Sequence, residues 1–384
     1  MMTAQSKIRT DSILAKPKLD GHDLVQLLSA TEDKEKHRIF RRANEVKRQY
    51  AGNAVYLRGL IEMSNICRKD CYYCGIRKSN ENVQRYTLAQ EEIVDKALWA
   101  WRRNFGSIVI QSGERTDKVF IDTITAALKE IRNQTDNALG ITLSLGEQSL
   151  DVYEQWREAG AHRYLLRIET SSPELFRKIH PDNEVHRFED RLKALFNLKK
   201  AGFQTGTGVM IGLPGQAIED LADDLLFMRN FDVDMIGMGP YIPHIDTPMG
   251  KLNGFIPPPE ERFDLALRMI ALARIMMKDV NIAASTAMQV LDPDGRIKAI
   301  LAGANVFMPN LTPKSFADNY NLYNGKSAVK DDPMLIIKEL EKRLAAFGEI
   351  IGYGKWGDSK HYFKRTHPTP IPPLLEERGR QGER

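Results

Sequence analysis

The sequence predicts an α/β fold: a complete parallel (β/α)8 barrel of the TIM type, with an N-terminal helical extension and a C-terminal helix. Three observations carry this. Short apolar segments alternate with amphipathic stretches through most of the 384 residues, the pattern of a parallel sheet covered by helices. Eight strand-like segments occur in this alternation, the number that closes such a barrel. The Gly-rich dinucleotide turn of a doubly wound sheet is missing after the first strand, which counts against that rival architecture.

The elements follow in order. Residues 1–20 are polar and read as a flexible leader. In 21–54, Leu24, Leu27, Leu28, Ile39, Ala43 and Val46 recur at helical spacing, so N-terminal helices are expected there, capping the barrel's bottom. The barrel is expected over 55–325, with strands at 55–63, 107–111, 140–144, 162–168, 204–211, 235–238, 282–286 and 304–309. Its helices are expected at 89–103, 119–132, 150–158, 188–200, 218–230, 260–277 and 296–302. A C-terminal helical segment covers 326–365, with an amphipathic helix at 333–350 packed outside the barrel. The proline-rich tail 366–384 is expected to be disordered.

Composition bounds the function. With 42% hydrophobic and 28% charged residues the chain has ample material for a core. A net charge of +4, with basic and acidic residues interspersed, gives no argument for nucleic acid. No apolar run reaches transmembrane length, and the N-terminus has no apolar signal core. The expected setting is the cytoplasm, with no membrane partner.

All three cysteines fall within eight residues, in Cys67-Arg-Lys-Asp-Cys71-Tyr-Tyr73-Cys74. Thiolates in one short loop suit a soft metal. A structural zinc site wants four closed ligands; there is no fourth cysteine, and His22 and His37 lack ligand spacing to the loop. A disulfide would leave one thiol over and is unusual in a cytosolic chain. A [4Fe-4S] cluster with three protein ligands fits better and leaves one iron open, whereas electron-transfer clusters use four cysteines. The loop directly follows the first strand, at the end where barrel enzymes place their chemistry.

Other strand ends carry candidates. Gln111-Ser-Gly113-Glu114 ends the second strand: glycine admits close backbone approach and the carboxylate is placed to accept from an ammonium. Thr142-Leu-Ser144 ends the third, where its hydroxyls either touch ribose or substrate or are simply solvated. On the fourth, Arg163 and Arg167 share a face, as do Arg58 and Glu62 on the first. An interior with Arg58, Arg163 and Arg167 is either an anion pocket or a salt-bridge network with Glu62 or Glu169. The fifth strand runs through Gly206, Gly208 and Met210; its small residues let a flat ring such as adenine lie against the backbone. His244 in the loop after the sixth strand reads as a ligand, a proton carrier or a structural residue. Ser285, Thr286 and Met308 stand at the ends of the last two strands, and Tyr320 lies in a long polar loop beyond them.

The Cys-x3-Cys-x2-Cys spacing with Tyr73 before the last cysteine resembles that of radical S-adenosylmethionine (SAM) enzymes. Together with Gln-Ser-Gly-Glu, Thr-Leu-Ser-Leu-Gly-Glu, Arg-Tyr-Leu-Leu-Arg-Ile-Glu-Thr, Gly-Leu-Pro-Gly-Gln and Ile-Pro-His-Ile-Asp-Thr-Pro, the chain over residues 22–325 is similar to the HydE family of FeFe-hydrogenase maturases. Methylornithine synthase and biotin synthase share the cluster motif and not this whole set. The resemblance implies a cluster on Cys67, Cys71 and Cys74 whose open iron chelates SAM. It implies SAM contacts at Tyr73, Gln111, Gly113, Glu114, Ser144, Glu169, Arg191, Gly208, Met210 and Tyr320. It places Arg58, Arg163, Arg167, Ser285, Thr286 and Met308 around a small anionic organometallic or amino-acid-derived substrate. A reductant protein, ferredoxin or flavodoxin, and handover to other hydrogenase maturation proteins are implied as well. One departure is visible: segment 326–332 lacks the cysteines that hold a second cluster in some members.

Overall fold

The structure, a computed structural model, describes residues 4–252, 256–326 and 332–367. The first strand, Ala54–Ser64, is the longest. It is followed by barrel strands Ser107–Ser112, Gly140–Ser144, Arg163–Leu165, Gln204–Thr207, Met235–Ile236, Asn281–Ala284 and Val306–Phe307. Each pairs in parallel with its neighbour, and the eighth returns to the first through Tyr56↔Val306 and Leu57↔Phe307, so the barrel is closed. Outside it pack the helices Gln90–Arg102, Lys118–Gln134, Leu150–Glu158, Phe188–Lys200, Ile218–Asn230, Pro259–Met276 and Gly295–Leu301. The apolar core lies between strands and helices: Leu57, Ile61 and Met63 point outward into it, so Arg58, Leu60 and Glu62 point into the barrel.

Several elements differ from the sequence expectation. The leader carries a helix, Ala4–Leu14, with Ile13, Leu14 and Leu19 in the core. Its apolar residues are too few to show a period. The fourth strand stops at Leu165, and a lone bridge between Glu169 and Val209 continues it. The fifth breaks at Gly208, beyond which Met210–Ile211 pairs with Gly239–Pro240 as a separate two-stranded ribbon. Helices Pro173–Ile179 and Thr286–Leu291 add to the expected set, and Lys360–Thr366 lies at the end of the C-terminal helical segment. Segment 327–331 and the tail 368–384 lie outside the described residues.

The barrel's base is closed by the chain's own C-terminal segment. Beyond the helix Pro333–Ala345, Ile350–Ile351 pairs with Ala54–Val55 beneath the first strand. Residues 354–359 then cross the base. Asp358 pairs with Arg163, which also donates to Thr142 Oγ1 at 2.9 Å. Gly357 O accepts from Arg58 at 3.0 Å and from Asn281 at 2.8 Å, and Ser359 N donates to Gln204 Oε1 at 3.0 Å. Among the described residues no helix is long and apolar enough to cross a membrane.

Candidate active site

The opposite, C-terminal mouth of the barrel collects the cysteine loop. It leaves the first strand where Gly113 N of the second strand donates to Ser64 O at 2.9 Å. A Cβ on Gly113 would stand 2.4 Å from Ile66 O, so only glycine lets this turn lie on the loop. Glu114 N donates to Cys67 Sγ at 3.3 Å. Arg85 ties the far side, donating to the carbonyls of Asn65 at 2.7 Å, Ile76 at 2.8 Å and Arg77 at 2.6 Å. Gly75 N donates to Leu322 O at 2.8 Å, which joins the loop to the segment containing Tyr320.

All three thiols are free and sit within one eight-residue loop. Burial, then Cys74 and Cys67, push the Cys71 thiol well above its usual range. Burial and Cys67 push Cys74 up to about 12. Cys71 is buried and Cys67 and Cys74 are half-buried; thiols that oppose each other's ionisation are stabilised as thiolates by a bound cation. The donor set therefore fits a [4Fe-4S] cluster with one iron left for another ligand. Cys67, Cys71 and Cys74 would hold it.

Beside the thiols lies a buried ionic network. Lys69 Nζ is 2.8 Å from Glu147 Oε2 and 3.5 Å from Glu114 Oε1. Arg68 Nε is 3.0 Å from Glu114 Oε1, and Arg191 Nε is 2.5 Å from Glu147 Oε1. Burial works against ionisation of Glu147, but Arg191 and Lys69 outweigh it and hold its carboxyl below the usual range. Burial and the neighbouring Glu147 push Glu114 up. Arg191 also donates to Arg167 O, and Arg167 Nη2 stands 2.9 Å from Glu169 Oε2. Glu169 has φ 70, a strained value for a residue with a side chain.

The mouth thus gathers most of the residues expected there. Gln111 and Ser144 are register partners at its rim. Met210 packs with Tyr72, Tyr73 and Tyr241 beside the loop. Tyr320 is buried near Glu62 and the thiols. Ser285 caps the helix that Thr286 opens, yet its Oγ makes no cap bond. Met308 lies beyond the eighth strand, its carbonyl accepting from Arg296 at 2.9 Å. Buried atoms without a hydrogen-bond partner lie on these residues: Arg167 Nε, Ser285 Oγ and Tyr241 OH. They are suited to a polar ligand.

Two expectations are corrected. Arg58 and Arg163 are not at the mouth; they fill the base and bind Gly357 O and Asp358, with one nitrogen each left unpartnered. A shared strand face does not mean a shared site, because four residues span about 13 Å. The Glu114 carboxylate is committed to Arg68, Lys69 and, at 2.9 Å, Glu147 N; its backbone N–H is what reaches the loop. Gly208 packs against the sixth strand, where a Cβ would meet Gly237 O at 2.0 Å. His244 stands against Gly75 and accepts from Asp246 N at 3.2 Å, a structural role.

Sequence reasoning missed Lys69, Glu147, Arg85 and the helix Pro173–Ile179. Glu147 had a usable signal, a second Gly-Glu after the third strand that repeats the one after the second. Lys69 had none, because its partners Glu147 and Val185 are distant in the chain, and Arg85 had none, because it binds backbone carbonyls, which leave no mark in the sequence.

Comparison with known proteins fits this geometry. The profile of the Radical SAM superfamily matches residues 61–228. The FeFe hydrogenase maturase subunit HydE of Thermotoga maritima is 44% identical over 342 residues, 89% of this chain and 94% of that protein. The 3-methylornithine synthase of Methanosarcina acetivorans is 27% identical, over 84% of this chain and 89% of that one. Among solved structures, methylornithine synthase superposes with a TM-score of 0.75 at 25% identity, covering 90% of this chain and 98% of that one. The maturase HydG of Carboxydothermus hydrogenoformans also gives 0.75, at 19% identity over 94% and 83% of the two chains, a likeness of fold.

Proposed function

The chain belongs to the radical SAM superfamily and, within it, to the family of the hydrogenase maturase HydE; from this premise we propose that it cleaves SAM reductively during FeFe-hydrogenase maturation. The observation that carries this reading is the gathering of three free thiols, and no fourth cysteine, at the mouth of a closed barrel. When bound, the cluster supplies one electron to the SAM sulfonium, which splits SAM into methionine and a 5′-deoxyadenosyl radical. We place the target of that radical at the sulfur of a small anionic iron–cysteine complex carrying CO and cyanide. Arg167, Ser285, Thr286 and Met308 would bind it, the first two through Nε and Oγ, which have no hydrogen-bond partner. The plug at 354–359 covers the base of the barrel and would help to keep water from the reacting atoms. A ferredoxin or flavodoxin would deliver the electron, and other maturation proteins would receive the product.

The test is anaerobic reconstitution with iron and sulfide, then incubation with dithionite and SAM. 5′-Deoxyadenosine or an adenosylated product is expected; intact SAM in the presence of a full cluster refutes the reading. For the finer assignment, the gene should restore FeFe-hydrogenase activity to a strain without its maturase. A second reading, an amino-acid mutase like methylornithine synthase, draws on the superposition with that enzyme. It would be supported by rearrangement of an amino acid in place of complementation.

A further inference from the structure

Residues 169–186 connect the fourth strand to the helix Phe188–Lys200, and they grip the cysteine loop at four of its residues. Ile179 O accepts from Tyr72 N at 3.0 Å. His180 Nε2 is 3.3 Å from Tyr73 OH. His186 Nε2 accepts from Asp70 N at 2.8 Å, and Val185 O accepts from Lys69 Nζ. The same segment starts with Glu169, in its strained conformation, at the rim of the proposed SAM site. One segment therefore fixes both the cluster loop and a SAM-facing carboxylate.

What fixes the segment is less obvious. Its middle is the short helix Pro173–Ile179, capped by Ser172 Oγ at Leu175 N. Its root, Thr170-Ser171, is held from outside the barrel. Asp224, on the inner face of the helix Ile218–Asn230, is fully buried, and its Oδ1 accepts from Ser171 N at 2.5 Å. Its Oδ2 has no partner. A buried carboxyl oxygen left without a partner is costly, and an apolar residue would pack on this helix face without that cost. The site is remote from the thiols and belongs to none of the contacts described above.

We propose that Asp224 is a positioning residue for SAM binding: by holding Ser171 N–H it sets the root of segment 169–186 and, through it, Glu169 and the Tyr72–Tyr73 side of the cluster loop. The inference rests on the SAM-binding reading. What it needs from Asp224 is an acceptor at Oδ1, so a neutral amide of the same shape serves and a methyl group does not.

The experiment uses the full chain with its cluster reconstituted. The native protein, Asp224→Asn and Asp224→Ala are compared for iron content, for SAM dissociation constant by equilibrium dialysis, and for the change in the reduced cluster's EPR signal on adding SAM. Asp224→Asn should stay within about twofold of native, and Asp224→Ala should bind SAM about tenfold more weakly at unchanged iron content, the loss of one buried hydrogen bond of about 1.4 kcal/mol. Native-like SAM affinity in Asp224→Ala overturns the inference, as does equal weakening in both variants. If Asp224→Ala does not fold, Asp224→Asn is set against Asp224→Ser, whose shorter side chain cannot reach Ser171 N. Equal affinities for these two refute the proposal. No SAM binding by the native holoprotein would instead refute the functional reading itself.

Discussion

Removal of Asp358 should cost stability well out of proportion to its place near the end of the chain. Its partner Arg163 has no side-chain exposure, while Asp358 retains 16%. Substituting Asp358 with alanine leaves a guanidinium in the barrel's base with Thr142 Oγ1 and no counter-charge. Breaking a buried pair from one side costs about 3–5 kcal/mol. The residual exposure of Asp358 and the bond to Thr142 place the effect near the lower end, about 3 kcal/mol. With a urea m-value of about 3 kcal/mol/M, the unfolding midpoint falls by about 1 M. Tryptophan fluorescence is a suitable probe, because Trp356 sits in the plug with its ring 4.3 Å from that of His162 and its Nε1 donating to Ala138 O at 2.7 Å. The double variant Arg163→Met/Asp358→Ala should recover much of the loss, since it removes both charges together. The reasoning is refuted if Asp358→Ala leaves the midpoint in place and alters turnover instead; Arg163 would then be a substrate ligand and not part of a seal.

Four other outcomes are expected. Cys71→Ala should abolish the cluster's visible absorbance and, with it, SAM cleavage. Gly113→Ala drives a methyl against Ile66 O and should displace the cysteine loop, lowering iron per chain at a stability cost of about 1–3 kcal/mol. Glu147→Gln weakens charged contacts to both Lys69 and Arg191 and should raise KM for SAM about tenfold with iron content retained. His361 bridges Asp279 and Asp232, and its hydrogen bond to Asp279 above all raises its pKa. A raised folded value means the stabilisation is full below about pH 6.5 and is lost as pH rises through the shifted value. Amide exchange in the helix Lys360–Thr366 should therefore speed up on going from pH 6 to pH 9 by more than the intrinsic rate, and His361→Ala should remove that excess.

The fold was legible because the barrel strands are short apolar runs and the intervening helices keep a helical period. The thiol loop was legible for a similar reason: its chemistry is local, three ligands within eight residues. Reading failed where function depends on depth or on distant partners. Period two tells which face Arg58 and Arg163 occupy, but nothing in it says which end of the barrel they reach. The plug that takes them up, Gly354 to Ser359, reads as an ordinary glycine-rich loop. Its place under the barrel follows from bonds to residues as distant as Arg58 and Gln204. The Lys69–Glu147–Arg191 network is likewise invisible along the chain, since its members are brought together from three separate loops and helices. Helix Pro173–Ile179 is too short to show a period.

The first strand, which ends in the cysteine loop, takes its neighbours from far along the chain: Ser107 onward on one side, Val306 and Ile350 on the other. During synthesis the cysteines therefore leave the ribosome long before the strand that carries them can be enclosed. At about 5–20 residues per second, the roughly 250 residues up to Phe307 take about 12–50 s, and the Leu322 carbonyl that meets Gly75 comes later still. Through that interval the three thiols lack the partners that enclose them in the finished barrel. Loading the cluster onto a nascent chain would trap it on an unformed loop. The topology thus predicts that iron and sulfide are delivered to the finished barrel, and that a cell making this protein has to protect bare thiols for as long as translation lasts.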